Sequence, residues 1–404
     1  MKVNNMDEKE NKPSIRFAGF TNAWEQRKFD TLYAKSSEKN DGSIGVDRNI
    51  TVATMQFKSD VKVSTDDYLK TYYTFNIGDI AFEGHQSKEF RFGRFVENDI
   101  GNGIVSHIFA VFRPIVEYDL RFWKYAINNE RLMQSALSRS TKASTMMHDL
   151  VVGDFLNEEF LVPSIDEQNA IGDFLTNLDH LITLHQRKHD KLVNVKKSML
   201  EKMFPQAGAD VPEIRFAGFT GTWEQEKIGE IIEDYVEKTT IQNQFPVLTS
   251  SQQQGIVFQE DYFADRQVTT NDNIGYFILP KGYFTYRSRS DTDVFVFNRN
   301  NLIDKGIISY YYPVFFPRNA DSNFLLRRLN HGIKSQLSMA AEGTGQRVLA
   351  HSKFKKMTVY VPGIDEQIQI GQFFEMFDHL INLHQRKLTK LQNIKKSCLE
   401  KMFI

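Results

Sequence analysis

The sequence repeats itself once, at a constant offset of 199 residues. The segment Ile15–Thr21 recurs at Ile214–Thr220, and a longer block, residues 162–204, recurs at 361–403 with 29 of 43 positions identical. Solenoid repeats have periods of roughly 20 to 50 residues. The chain of 404 residues therefore contains a duplicated domain.

Between the matching blocks the two halves diverge, although a skeleton survives. Gly103–Pro114 in the first half parallels Gly306–Pro317 in the second. The order is variable domain, constant helix, variable domain, constant helix, which indicates one scaffold presenting two different binding surfaces. The predicted boundaries are a polar tail at 1–14, globular domains at 15–163 and 205–362, and helices at 164–204 and 363–404.

The constant blocks carry seam residues at spacings that alternate between three and four. This pattern predicts a helix with one apolar seam, as in a coiled coil. A helix of about 40 residues is about 60 Å long, too long to bury its seam on its own domain, so we expect the two helices to pair antiparallel. The seam positions are Ile171, Phe174, Leu178, Leu181, His185, Lys188, Leu192, Val195 and Met199, and then Ile370, Phe373, Phe377, Leu380, His384, Lys387, Leu391, Ile394 and Cys398.

A histidine and a lysine interrupt each seam in mid-helix, His185 with Lys188 and His384 with Lys387. In an antiparallel pair, residue 185 would fall opposite residue 384. A polar residue at a seam position fixes register and orientation at some cost in stability, and we favour that role for these four residues. The alternative is a metal site formed by the two histidines, but imidazoles beside Lys and Arg lack further ligands.

The composition bounds the compartment more than the partner. The chain carries 50 Lys plus Arg against 51 Asp plus Glu, a balance that neither favours nor excludes nucleic acid because electrostatic footprints are local. Cys398 is the single cysteine, so intrachain disulfides and cysteine zinc clusters are excluded and a reducing compartment fits. No apolar run reaches the roughly 18 to 20 residues of a membrane span, and the first residues are not a signal peptide. We expect a cytoplasmic protein without membrane contact.

The sequence holds none of the usual catalytic signatures. It has no GxxxxGK(S/T), HExxH or GxSxG motif, and no two of its 10 prolines are adjacent, which excludes the Asp/Asn-Pro-Pro-aromatic motif of amino-methyltransferases. The adjacent carboxylates Asp166-Glu167 and Asp365-Glu366 fall in the first turn of each helix, where acidic groups complement the dipole. Ser164 and Glu167 also fit a capping box. We expect no catalysis by this chain alone.

In this arrangement the chain resembles the specificity subunit of Type I restriction-modification enzymes, from Ile15 to its end. The most specific motifs are the paired Pro-x-Ile-Asp-Glu-Gln openings at Pro163 and Pro362, each followed by Asp-His-Leu-Ile and Gln-Arg-Lys. The Ile-Arg-Phe-Ala-Gly-Phe entries, with Trp24 and Trp223 as expected core residues, are also typical. The resemblance implies an α+β fold with two globular target recognition domains of mixed α/β structure, two long antiparallel helices and an internal pseudo-twofold repeat.

The resemblance also implies partners. Each recognition domain would read one half of a bipartite, asymmetric target in double-stranded DNA, while the coiled coil would set the spacing and dock the modification subunits. Two modification subunits would supply S-adenosylmethionine and adenine N6 methylation, and two restriction subunits would supply ATP- and Mg-dependent translocation and cleavage. This chain would bind none of these cofactors. The alternatives are a coiled-coil scaffold for proteins, or a fused nuclease or methyltransferase with an unrecognised motif.

Candidate DNA contacts follow the strand-like run Ile80–Phe82 and the corresponding run in the second domain. Arginine pairs with guanine and glutamine with adenine, while serine and lysine suit phosphates. Polar donors that differ between parallel segments fit two different specificities, and a solvated hairpin tip is the alternative. The residues are His85, Gln86, Ser87, Lys88, Arg91 and Arg94 in the first domain, and Arg287, Ser288 and Arg289 in the second.

Two further polar stretches of the second domain are candidates. The first precedes a strand-like run and would be a reading loop, with a polar turn ended by Gly255 as the alternative. The second would hold a phosphate with backbone N–H groups at the start of a following helix. They comprise Ser250, Ser251, Gln252, Gln253 and Gln254, and Gly343, Thr344, Gln346 and Arg347, respectively.

Overall fold

The structure, a computed structural model, describes residues 11–58, 66–144, 147–206, 208–263 and 272–404. The chain divides into two compact units, which we call unit 1 and unit 2. Unit 1 is Met1–His185 with Arg386–Ile404, and unit 2 is Gln186–Gln385. Each unit therefore contains one globular part together with one half of each long helix.

Unit 1 is built from short strands and short helices besides its share of the long helices. The long helix α5, Ile165–Lys202, begins in this unit. The strands are β1 Glu25–Lys28, β2 Tyr33–Ser36, β3 Ile50–Thr51, β4 Gln56–Phe57, β5 Tyr73–Phe75, β6 Ile80–Glu83, β7 Arg94–Glu97, β8 Gly103–Val105, β9 Val111–Pro114, β10 Thr141–Ala143, β11 His148–Leu150 and β12 Glu159–Val162. The short helices are α1 Asp66–Leu69, α2 Leu120–Ile127, α3 Glu130–Ser140 and α4 Val152–Asn157, with 3-10 turns at Phe29–Thr31 and Val46–Arg48.

Unit 2 repeats this plan. The long helix α11, Ile364–Lys401, begins here and ends in unit 1. The strands are β13 Glu224–Lys227, β14 Ile232–Asp234, β15 Leu248–Ser251, β16 Gly255–Phe258, β17 Phe277–Pro280, β18 Phe284–Tyr286, β19 Arg289–Ser290, β20 Phe297–Arg299, β21 Lys305–Ile308, β22 Val314–Pro317, β23 Arg347–Val348 and β24 Thr358–Val361. The short helices are α6 Ile228–Ile231, α7 Gln259–Tyr262, α8 Ser322–Asn330, α9 Lys334–Ala340 and α10 His351–Lys356.

Each unit contains a four-stranded antiparallel sheet with the same strand order. The order is β2-β9-β6-β7 in unit 1 and β14-β22-β18-β20 in unit 2. The two-stranded pairs β1-β12 and β5-β8 correspond to β13-β24 and β17-β21. Strand β6 is buried at all four positions, so both of its faces are covered. The duplication therefore extends to the topology of the regions whose sequences have diverged.

Aromatic rings make up much of the core of each unit. In unit 1, the Phe155 ring of α4 stacks on Phe29 and Phe95, with ring centroids 4.5 and 4.4 Å apart. The two tryptophans predicted to be core residues are buried, Trp24 in unit 1 at 3% exposed and Trp223 in unit 2 at 2% exposed. The corresponding cluster in unit 2 consists of Phe297, Phe315 and Phe354.

The Asp-Glu-Gln motif at the start of each long helix joins that helix to the globular part of its unit. The Glu167 carboxylate, 1% exposed, accepts hydrogen bonds from Nε and Nη2 of Arg16, both at 2.6 Å. In unit 2, Glu366 binds Arg215 in the same bidentate way, at 2.6 and 2.7 Å. The carboxylate expected to cap the helix is thus bound in an ion pair, because the planar guanidinium matches both of its oxygens.

The glutamine and the glycine of the same motif position a second helix. Gln168 donates to Pro163 O and accepts from Asp119 N, each at 3.1 Å. Asp119 caps α2 by accepting from Phe122 N, and a Cβ atom at Gly172 would lie 2.3 Å from its Oδ1. Only a glycine permits this approach. The equivalent residues in unit 2 are Gln367, Pro362, Asp321 and Gly371.

The two long helices, each of 38 residues, pair antiparallel as the sequence predicted. In unit 1, Asp179 of α5 binds Lys395 of α11 at 2.6 Å. In unit 2, Lys196 of α5 binds Asp378 of α11. Between these two ion pairs, residue numbers rise from 179 to 196 along α5 and fall from 395 to 378 along α11, so the two helices run in opposite directions. The same Asp–Lys pair is therefore used once in each unit.

The buried stripe of these helices differs from the predicted seam at alternate positions. Lys188 and Lys387, predicted as seam residues, are exposed, and the stripe passes through His189 and Leu388 instead. Successive residues on one face of a helix with 3.6 residues per turn are three or four positions apart. Counted from the same first residue, a spacing of three then four fits this period as well as a spacing of four then three. The adjacent apolar residues at 174–175 fit both orders. Packing within each unit selects the second order.

Candidate nucleic-acid interface

Three segments of unit 2 that the sequence marked as separate candidates come together around residues 290–294. This stretch connects β19, which carries Arg289, to β20. Side chains from the other two segments bond to it. The bonds are Gln252 Nε2 to Val294 O at 3.0 Å, Gln346 Nε2 to Asp291 Oδ1 at 3.0 Å, and Arg347 Nε to Asp293 Oδ1 at 3.2 Å. Segments far apart in sequence thus form one surface, which we call the loop face of unit 2.

The turn at Gly343–Gln346 does not lead into a helix, which corrects the predicted phosphate cradle. Strand β23 follows it and pairs with β19, and α10 begins only at His351. The Arg347 side chain donates to Ser338 O at 2.6 Å and to Gly343 O at 3.2 Å. Its guanidinium therefore holds the turn together, while Gly343, Thr344 and Gln346 remain exposed at the tip.

The serines of the predicted reading loop point into unit 2. Ser250 and Ser251 lie in β15 and are 8% and 5% exposed. The Ser250 hydroxyl accepts from Asn298 Nδ2 at 2.8 Å, and the Ser251 hydroxyl accepts from the backbone N–H groups of residues 253 and 254, both at 3.2 Å. The serines are therefore structural, because β15 pairs with β16 as a hairpin. The exposed part is the tip, Gln252, Gln253 and Gln254, which ends at Gly255 with φ +75°.

The Arg287–Arg289 segment presents two exposed arginines with different surroundings. Arg287 lies 3.9 Å from Asp291, an exposed ion pair of the kind that contributes little to stability. The Arg289 guanidinium lies over the Tyr311 ring, 4.2 Å from its centroid. Ser288 between them donates its hydroxyl to Tyr311 O at 2.6 Å. The segment is thus anchored to the connection between β21 and β22.

That connection is a part of the loop face that the sequence reading missed. Tyr310 and Tyr311 are 56% and 39% exposed, their rings lie 4.3 Å apart, and the Tyr310 hydroxyl donates to the Tyr311 hydroxyl at 3.1 Å. This hydrogen bond raises the pKa of Tyr310. Three consecutive tyrosines at 310–312 between two apolar runs were the available signal.

In unit 1 the predicted loop after β6 is exposed at His85, Gln86, Ser87 and Lys88. The Ser87 hydroxyl accepts from the N–H groups of residues 89 and 90, which shapes the turn. His85 Nδ1 lies 2.5 Å from Glu83 Oε1. A bond from His148 N to Gly84 O at 2.8 Å brings the hairpin β10-β11 beside this loop, as β23 lies beside β19 in unit 2.

The two arginines of this region have different roles. Arg94 donates to Ala53 O at 2.6 Å and lies 3.6 Å from Glu83, so it fixes the hairpin β3-β4 against the loop. Arg91 is exposed, with its guanidinium over the Phe92 ring at 5.5 Å. The sequence reading missed the turn between β3 and β4, whose counterpart in unit 2 is the tip at Gln252–Gln254. We call these loops together the loop face of unit 1.

The described residues contain no group of three or more His, Cys, Asp or Glu side chains placed to hold a metal ion. In the same parts of the chain, no helix is both long and apolar enough to cross a membrane. The predicted DNA-facing side chains that remain exposed are cationic, amide, hydroxyl and imidazole groups, all of which can form hydrogen bonds.

The shared topology and the different side chains on equivalent loops define the class of the protein as a duplicated recognition protein. The profile of the family described as Type I restriction modification DNA specificity domain matches it twice, over residues 23–194 and 221–393. The chain belongs to this family, and its role is to specify a DNA sequence.

Individual relatives agree with this assignment. The Type I restriction enzyme MjaVIII specificity subunit of Methanocaldococcus jannaschii is 23% identical over 302 residues, which cover 67% of each chain. The crystal structure of the Type I restriction-modification S subunit from M. genitalium matches with a TM-score of 0.54 at 14% identity, covering 97% of this chain and 99% of that one. The HsdS subunit from Thermoanaerobacter tengcongensis matches with a TM-score of 0.47 at 16% identity, over 94% and 96% of the two chains. At this identity the M. genitalium structure supports the fold.

Proposed function

We propose that this chain selects the target of a Type I restriction-modification complex, with each unit reading one half of a bipartite, asymmetric DNA sequence. The observation that carries the proposal is that equivalent loops of one topology carry different donors. The loop after β6 presents Gln86 and Lys88, whereas the equivalent segment after β18 presents Arg287 and Arg289. Glutamine suits adenine and arginine suits guanine, so the two half-sites differ.

The proposed partners follow from exposed residues that are identical at equivalent positions of the two units. Thr21 and Glu25 are exposed, and their counterparts Thr220 and Glu224 are identical and exposed as well. Exposed side chains are not held identical by packing, so one type of subunit binding both units explains the identity. Two modification subunits would bind there and supply S-adenosylmethionine and adenine N6 methylation, with the base flipped out of the duplex. Two restriction subunits would supply ATP- and Mg-dependent translocation and cleavage.

The long helices would set the distance between the half-sites and dock the modification subunits. His185 and His384 lie on the half-buried stripe, in keeping with the register role proposed for them. Lys188 and Lys387 are exposed, so any role in register would come from their charge at the helix surface. Polar groups at a mostly apolar stripe specify one alignment because other alignments leave them unmatched.

The experiment is to map N6-methyladenine in host DNA with and without this gene. We expect one bipartite motif to vanish on deletion and to return when the gene is restored. An unchanged methylome would contradict the proposal. Methyl transfer or DNA cleavage by the purified chain alone would instead establish a fused enzyme, and unaltered DNA binding after charge reversal at Arg287 and Arg289 would favour a protein scaffold.

A further inference from the structure

We propose that Tyr311 positions Arg289 for contact with a guanine of the half-site read by unit 2, and that Tyr310 supports this pair. The inference rests on the proposed reading of DNA by this unit and names the residues and the base chemistry. Neither tyrosine was among the DNA contacts predicted from the sequence. All three residues are exposed and lie on the loop face of unit 2.

Arg289 differs from the neighbouring arginines in what its guanidinium is bonded to. Arg347 is engaged with Asp293 and two backbone carbonyls, and Arg287 pairs with Asp291. Within the described parts of the chain, no carboxylate pairs with Arg289. Its planar group lies on the Tyr311 ring at 4.2 Å, which leaves the N–H edge available for a ligand.

The Tyr311 ring is itself held in place. The Ser288 hydroxyl and backbone N–H donate to the backbone carbonyl of Tyr311 at 2.6 and 3.4 Å, and the Tyr311 ring packs on the Tyr310 ring with centroids 4.3 Å apart. Stacking on a fixed ring limits the rotamers of a long side chain before it binds. Less conformational entropy is then lost on binding, and a planar fork keeps a defined direction.

The chemistry favours guanine over other DNA groups. In the major groove, guanine alone presents two adjacent acceptors, O6 and N7, which match the two parallel N–H groups of a guanidinium. A phosphate contact would not need the arginine to be oriented by a ring. In unit 1 the equivalent connection between β8 and β9 carries His107 at the position of Tyr310 and Ile108, 74% exposed, at the position of Tyr311. We therefore expect the guanine contact in one half-site only.

The test uses the complex assembled with its modification subunits and a duplex carrying the mapped target. Three variants separate the parts of the contact. Arg289→Lys keeps the charge but loses the fork, Tyr311→Leu keeps apolar bulk but loses the ring, and Tyr311→Phe keeps the ring. The matched control is Tyr262→Leu, which alters a tyrosine of unit 2 that is 43% exposed.

We expect Arg289→Lys and Tyr311→Leu to weaken binding of the intact target about 10-fold or more. These two variants should bind a duplex whose unit 2 half-site has been scrambled as the parent does. The affinities of Tyr311→Phe and Tyr262→Leu for the intact target should stay within about 3-fold of that of the parent. Replacing each guanine of that half-site by 7-deazaguanine removes N7. At one of these guanines, the replacement should weaken DNA binding by the parent complex. The same replacement should not weaken binding by the Arg289→Lys complex any further.

The outcomes separate this inference from the proposed function. If the parent complex does not distinguish the target from scrambled DNA, the proposed function fails. If it does, but Tyr311→Leu binds like the parent or Tyr311→Phe is as weak as Tyr311→Leu, the positioning role of the ring is overturned. An equal loss on every duplex would indicate a phosphate contact and overturn the reading of guanine. Thermal unfolding and subunit assembly should be unchanged, because the substituted residues are exposed.

Discussion

Single residues show how the repeated motif holds each unit together. The ion pair of Arg16 with Glu167 joins the entry segment of unit 1 to the first turn of α5, and Arg215 with Glu366 does the same in unit 2. The carboxylates are 1% exposed. A buried charge whose partner is removed remains desolvated and uncompensated.

Glu167→Gln should therefore destabilise the protein by about 3 kcal/mol, because it leaves the Arg16 guanidinium without its carboxylate. The neighbouring Asp166 is exposed, and Asp166→Asn should change the free energy of unfolding by less than about 0.5 kcal/mol. Urea denaturation of the two variants and the parent measures both values. Equal stabilities for both variants would show that the ion pair does not hold the helix.

Gly371 allows close packing between the start of α11 and the N-cap of α8. A Cβ atom there would lie 2.4 Å from Asp321 Oδ1 and 3.0 Å from Phe324 N. Gly371→Ala should cost about 1–3 kcal/mol, since neither backbone nor cap can move freely. Gly153 in α4, with no atom within 4 Å of its Cβ position, supplies the control, and Gly153→Ala should not lower the melting temperature. A neutral Gly371→Ala would argue against this contact.

Glu97 is a buried acidic residue, and the equivalent position in unit 2 holds a basic residue, Arg299. Glu97 pairs with Ile80 across the sheet, as Arg299 pairs with Phe284 in unit 2. Burial raises the pKa of Glu97 well above its usual value, and the nearby Asp99 adds to the shift. Neither carboxylate oxygen has a hydrogen-bond partner among the residues that the structure describes. The folded chain therefore favours the protonated form.

A pKa that is higher in the folded than in the unfolded chain makes stability depend on pH. The stabilisation by the protonated form is complete below the unfolded pKa and is lost as pH rises through the folded pKa, by about 1.4 kcal/mol per pH unit. Glu97→Gln removes this dependence, so we expect the stability of the variant relative to the parent to increase from pH 5 to pH 8. Denaturation curves across that range measure it. The control is Glu25→Gln at an exposed glutamate, whose stability relative to the parent should not change in this way. A difference in the free energy of unfolding between Glu97→Gln and the parent that stays constant with pH would contradict the raised pKa.

At the scale of elements, the long helices illustrate the limit of periodicity. The pattern of threes and fours correctly predicted two antiparallel helices of nearly 40 residues. It placed the seam at Lys387, whereas the buried residue is Leu388, 3% exposed. A helix with adjacent apolar residues offers two equivalent stripes, and only the surface packed against it selects one.

Adjacent substitutions distinguish the two stripes. Leu388→Ala should cost about 2–4 kcal/mol because it deletes a buried side chain and leaves a cavity. Lys387→Ala should change stability by less than about 0.5 kcal/mol, because that side chain is exposed. Thermal or urea unfolding of both variants is the measurement. A larger loss for Lys387→Ala would restore the seam predicted from the sequence.

At the scale of the whole molecule, the duplication makes the recognition parts exchangeable in principle. Both units have the same sheet order and the same ion pairs between their globular part and the helices. We expect the two half-sites to be read in opposite orientations, because antiparallel helices in a duplicated chain predict a pseudo-twofold axis. The asymmetry of the target would then come only from the different loop faces.

A chain in which residues 214–362 are replaced by a second copy of the equivalent residues 15–163 should therefore specify a palindromic target. Both halves should equal the half-site of unit 1, and the gap between them should be unchanged because the helices are retained. Mapping of N6-methyladenine in cells that express this chain with the modification subunits tests the expectation. Persistence of the parent's second half-site would contradict it, and the parent chain in the same cells is the control.

The sequence by itself determined the duplication, the long helices and the family. Identity at an offset of 199 residues is visible without any structure, and helical periodicity is a local property of the chain. Trp24 and Trp223 were placed in the core correctly for the same reason, since they lie within the repeated blocks.

Only the tertiary structure decided which residues of the candidate interface face outward and which meet. Ser250 and Ser251 turn inward because β15 pairs with β16, and the cradle expected at Gly343 is replaced by a strand because β23 pairs with β19. Arg289 acquires its stacking partner from a connection that follows two further strands in the chain. Such pairings depend on the packing of distant segments, and no local pattern of residues encodes them.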